Sequence, residues 1–119
     1  MTFNDILNEF KIEYNTLVQL LLKQHTAPEL DTLLSQLIEE SYEEIMFILS
    51  PQLDLNDPNL LKMLKRYIKL LVLSYIYYKV GKTDEADRLR QEVFERIYSI
   101  RKIAGSKKDI LFKNLSFDI

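Results

Sequence analysis

Glu39-Glu40-Ser41-Tyr42-Glu43-Glu44 places two carboxylates one helical turn from two others. Carboxylates at that spacing can exchange protons or hold a divalent cation. In their segment they fall opposite the apolar stripe, so they are expected to face solvent as an acidic docking surface. His25 is the only histidine and there is no cysteine. Paired-histidine zinc sites, a twice-used Glu-x-x-His motif, thiolate ligation, disulfides and thiol catalysis are all excluded. His25 follows the first expected helix, where a cation suits the carbonyl end of the dipole. Gly81-Lys82-Thr83 ends like a phosphate-binding loop. Such a loop needs a preceding strand and a glycine five residues upstream, and that position is Ile76, inside an expected helix. Neither a Gly-x-Ser-x-Gly elbow nor a dinucleotide fingerprint occurs. The chain is therefore expected to be no enzyme, with no catalytic residue, metal, cofactor or small-molecule substrate.

The basic residues are more suggestive. Lys62, Lys65, Arg66 and Lys69 form a stripe, and Arg101, Lys102, Lys107 and Lys108 a second cluster. Together they could contact phosphates, or an acidic protein face. No aromatic residue interleaves with the second cluster and no recognition helix is visible, so only non-specific DNA contact is supported. Arg101 and Lys102 also have a structural reason, since helix C-termini attract cations. The net charge of −2 hides an asymmetry: residues 1–57 hold two bases against eleven acids, a net of −9, and residues 58–119 hold fourteen bases against seven acids, a net of +7. Such halves attract each other within one molecule, meet head to tail between molecules, or aim one face at a polyanion.

Helices must position these groups. At 119 residues, 47% hydrophobic and 29% charged, the chain is one domain's worth, with enough apolar surface for a core. Two glycines and three prolines leave little room for tight turns. The first helix is expected from Thr2 or Asn4 to about Lys23, with Phe3, Ile6, Leu7, Phe10, Tyr14, Leu17, Val18 and Leu21 on one face. Thr26-Ala27-Pro28-Glu29 is a capping box that opens a second helix, ended by Ser50-Pro51. Asp57-Pro58 opens a third, amphipathic at first and then apolar nearly all round from Leu70 to Tyr78, which belongs at the centre of the fold. That apolar run is too short for the roughly 20 residues a membrane span needs, and Met1 to Glu9 lacks the positive start of a signal peptide, so a cytoplasmic protein is expected. Gly81 is placed as a left-handed cap and Thr83 as the cap of a fourth helix, stopped by Gly105; helices three and four then form a tight hairpin. From Ile110 to Ile119 the period changes to alternation. Leu111, Leu115, Phe117 and Ile119 share one face, as in a strand that must find its partner or groove on another molecule; the alternative is a disordered or coiled tail packed on the bundle.

The expected architecture is thus all-α: a four-helix bundle-like domain over 1–109 with a central third helix, and an extended tail over 110–119. The stretch Tyr75-Ile-Tyr-Tyr-Lys-Val-Gly-Lys-Thr-Asp-Glu-Ala, with Tyr78, Gly81 and Ala86 across a short turn, resembles the middle of one tetratricopeptide repeat. From Leu30 to Leu111 the layout resembles tailed-phage head–tail connector proteins. A helix holding Ile38 to Ile48 precedes a loop and a proline-started helix; the Leu70 to Tyr78 segment, a helix ending Ile100-Arg-Lys-Ile-Ala-Gly105 and a hydrophobic tail follow. That resemblance implies a structural assembly subunit that forms a ring, with homo-oligomeric partners, in a host cytoplasm or virion. It would account for complementary flanks, tolerated basic surface and a tail that pairs with a neighbour. A monomeric helical adaptor for one protein partner and a non-specific nucleic-acid-binding protein are the other readings the sequence admits.

Overall fold

Five helices follow one another along the computed structural model, which describes residues 2–49 and 57–114, and side chains as far as Arg101. They are α1 (Phe3–Glu13), α2 (Asn15–Leu21), α3 (Ala27–Leu49), α4 (Pro58–Lys79) and α5 (Thr83–Asn114). There is no strand among the described residues.

Local chemistry accounts for most boundaries. Thr2 caps α1 through its hydroxyl while Asp5 reaches back to the Thr2 amide, and Thr26 and Glu29 do the same for α3. Asp57 accepts the Asn59 amide at 2.9 Å, with Pro58 at the first helical position of α4. Gly81 adopts φ 83° between α4 and α5, in the left-handed region.

The single first helix expected over residues 2–23 is instead two. At Tyr14 the backbone leaves helical geometry (φ −113°, ψ 39°). Tyr14, Asn15 and Thr16 are all poor helix formers, and the Tyr14 ring packs at 4.8 Å on Phe10. Redirected there, α2 still buries Val18 and Leu21. Thr83 is the first residue of α5 rather than its cap, with the Ala86 amide bonded to the Lys82 carbonyl.

The C-terminal expectation is corrected further. The α5 backbone passes through Gly105 and across the expected 109/110 boundary to Asn114, so residues 110–114 are helical and not extended. Extending an established helix adds one hydrogen bond per residue, and one glycine costs only about 1 kcal/mol against alanine. Residues 115–119, with Leu115, Phe117 and Ile119, lie outside the described residues.

The core is aliphatic, with Phe10 the one fully buried aromatic ring among the described residues. Ile6 and Phe10 of α1, Leu34, Ile38 and Ile45 of α3, Ile68, Leu71 and Ile76 of α4, and Val93 and Ile97 of α5 meet there. α4 packs on α1, α3 and α5, and α3 also touches α1 and α5. From Leu71 to Ser74 every residue of α4 is buried, as a helix covered on several sides requires. No described helix is long and apolar enough to cross a membrane.

Candidate interaction surfaces

Much of the charge asymmetry is resolved inside the chain. Lys69 Nζ donates to Glu13 Oε1 at 2.7 Å and Lys65 lies 3.2 Å from Glu9, tying the start of α4 to α1. Lys69 is only 8% exposed; its ammonium group could not stay there without the Glu13 carboxylate. The expected basic stripe is therefore split. Lys62 and Arg66 are exposed and make no ion pair among the described residues, whereas Lys65 and Lys69 are committed to α1. The α5 backbone carries Lys107 and Lys108, whose side chains lie outside the described residues, as does that of Leu111.

The acidic face is split in the same way. Glu39, Glu40 and Glu43 are exposed, but Glu44 turns inward. Its carboxylate accepts from the Tyr75 hydroxyl and pairs with Arg90, whose second nitrogen donates to Tyr75 Oη at 2.6 Å. The Arg90 guanidinium also lies 5.4 Å from the Tyr75 ring centre and 4.8 Å from that of Phe94, within cation–π range. Burial, and then the bond to Glu44, raises the Tyr75 pKa above the usual phenol value. For Arg90 burial pulls downward, but Glu44 and Tyr75 more than offset it and the net shift is upward. Tyr78 donates to Asp87, which raises its pKa. These contacts join α3, α4 and α5 by matched polar groups. Among the described residues no three His, Asp or Glu side chains converge on a metal position.

Two surfaces stand out that the sequence reading passed over. On α3, Phe47 is 88% exposed. It borders a cleft of about 390 Å³ with Ile48 of α3, Phe94 and Tyr98 of α5, and the Glu44–Arg90 pair at its edge. Phe47 lies four residues from Glu43 and seven from Glu40, so it ends the exposed acidic face. A phenylalanine off the apolar stripe and in step with glutamates was the available signal. The second surface lies between α2 and the α4–α5 turn. Leu17, Leu20, Leu21, Tyr77 and Val80 line a groove of about 310 Å³ rimmed by Lys23 and Lys82. Leu20 and Val80 are 53% and 46% exposed. The Lys82 ammonium sits 5.5 Å from the Tyr77 ring centre. A third, larger depression between α1 and α4 is lined by Glu9 and Glu13 with Lys62, Lys65 and Lys69, and its charges largely satisfy one another.

No known protein family, characterised protein or solved structure matches the chain.

Proposed function

We propose that this chain is a non-enzymatic structural assembly subunit that associates with copies of itself, of the kind that its resemblance to tailed-phage head–tail connectors implies. The exposed Phe47 ring carries the reading. Phenylalanine in water forfeits roughly 1.5–3 kcal/mol of burial. Exposed in the last turn of α3, it is readily explained as an anchor for a contact made with another molecule. It stands on a rigid element, with Phe94 and Tyr98 alongside. A non-specific nucleic-acid role has less support, because Lys65 and Lys69 are held by Glu9 and Glu13 and only part of the stripe is left for phosphates.

Light scattering and sedimentation over a concentration series test the proposal. An assembly subunit gives a reversible rise in mass toward a defined oligomer or a growing filament. A chain that stays monomeric at every concentration, alone and with DNA, refutes it. A DNA complex whose affinity falls steeply with salt, formed by a chain that never self-associates, would favour the nucleic-acid reading instead.

A further inference from the structure

We propose that the contact between copies is head-to-tail: the Phe47 knob of one chain seats in the Leu20–Val80 groove of the next. The inference rests on the assembly reading above and names the two surfaces that carry it. They are complementary in charge, and both are apolar at the centre. The knob is an aromatic ring flanked by the exposed carboxylates of Glu40 and Glu43. The groove is apolar at its floor and carries Lys23 and Lys82 on its rim, with exposed Lys79 close by in sequence. An apolar centre with opposite charges around it is how specific contacts are built: the centre supplies affinity, and the rim sets register and association rate.

The chain cannot make this contact with itself. Phe47 lies beside Phe94 on α5, whereas Lys82 of the groove immediately precedes that helix. The twelve steps from Lys82 to Phe94 span about 18 Å at the helical rise of 1.5 Å per residue. Nor is a symmetric contact of two Phe47 faces favoured, since it would bring Glu39, Glu40 and Glu43 of both chains together, and like charges placed face to face are repulsive. Two different surfaces joined head to tail leave one knob and one groove free at the ends, so growth continues until a ring closes or a filament forms.

Two exposed substitutions test this without touching the core. Phe47→Ser removes the knob and keeps the groove; Leu20→Glu puts an acid in the groove and keeps the knob. Circular dichroism should show both folded as the parent chain. Each alone should weaken self-association about 30-fold or more, the loss typical of a central anchor. Mixed in equal amounts, the two variants should form a complex of two chains and no larger, because one intact knob meets one intact groove and both remaining ends are blocked. Raising the salt should weaken that complex. If Phe47→Ser abolishes association but Leu20→Glu does not, the contact is a symmetric one between Phe47 faces and the head-to-tail proposal falls. If neither substitution matters while removal of residues 110–119 does, the tail makes the contact elsewhere, and these surfaces are wrong although assembly stands. A parent chain that never associates overturns both the contact and the assembly reading.

Discussion

Removing the two partners of the Glu13–Lys69 pair one at a time should give opposite results. Lys69 is buried on α4, its Nζ 2.7 Å from Glu13 Oε1, while Glu13 is half-exposed on α1. Glu13→Gln leaves a buried ammonium group with a neutral partner. Loss of a fully buried partner costs about 3–5 kcal/mol, and exposed pairs contribute about 0.2–1 kcal/mol. Water reaches one end of this pair, so an intermediate loss of about 1–3 kcal/mol is expected. Lys69→Met instead removes the charge and keeps the aliphatic stem. Its desolvation cost disappears along with the pair, so stability should stay within about 1 kcal/mol of the parent or rise. Urea unfolding followed by circular dichroism reads both; with a slope of about 1–3 kcal/mol per molar urea, a 2 kcal/mol loss moves the midpoint by roughly 1 M. The double variant should recover most of what Glu13→Gln loses, because the two residues are coupled. A Lys69→Met loss as large as that of Glu13→Gln would refute the reasoning, since the pair would then be a net source of stability. A silent Glu13→Gln would mean that Lys69 is not held by this carboxylate.

Leu71 is fully buried on α4, and Leu71→Ala should cost about 2–5 kcal/mol by denaturation, from lost burial plus a cavity; a loss below about 1 kcal/mol would show that the core lies elsewhere. Ser41 is buried on α3 with a hydroxyl that has no hydrogen-bond partner, so Ser41→Ala should stabilise by about 1 kcal/mol in the same assay, and destabilisation would show that the hydroxyl is bonded after all. Tyr75 has its folded pKa raised above the ordinary 10.0, by burial first and then by Glu44. The stability this contributes is present in full below pH 10 and is lost as the pH rises through the folded value. Tyr75→Phe should therefore cost about 0.5–1.5 kcal/mol at neutral pH for the lost hydrogen bond and lose less stability than the parent above pH 10. It should also remove a step that lies above pH 10 in the phenolate absorbance titration.

The helical elements were legible wherever a local signal and the apolar period agreed. Thr26 with Glu29, Asp57 with Pro58, and Gly81 each mark a boundary by chemistry confined to a few residues, and the structure uses all three. Signals failed where a boundary depends on competition. Nothing in the steps of three and four from Phe3 to Leu21 reports that Tyr14 leaves the helix, because the apolar face is kept on both sides of the break. Alternation over residues 110–119 suggests a strand, but the first five of those ten residues continue a helix already running, and α5 runs on to Asn114. A period read over so short a window cannot oppose a helix that has already met its nucleation cost.

The interaction surfaces were hidden for a different reason. Charge summed over halves of the chain says nothing about which charges meet, and three of the four ion pairs among the described residues join the acidic first half to the basic second: Glu9 with Lys65, Glu13 with Lys69, and Glu44 with Arg90. What is left for another molecule is the remainder after that internal matching, and only a fold can subtract it. That remainder includes Glu40 and Glu43 near Phe47 on one side, Lys23 and Lys82 around Leu20 and Val80 on the other, and the exposed Lys62 and Arg66 of α4. The basic stripe that looked most like a binding face has lost half its charges to α1, while Lys23 and Lys82, far apart in the sequence, rim one groove because α2 and the α4–α5 turn come together there. If self-association depends on electrostatics, reversing Lys62 and Arg66 should matter less than reversing Lys23 and Lys82, a ranking opposite to the one the linear charge pattern suggests. Equal sensitivity to both pairs, read by sedimentation at fixed salt, would return the asymmetry to a general field effect with no defined contact.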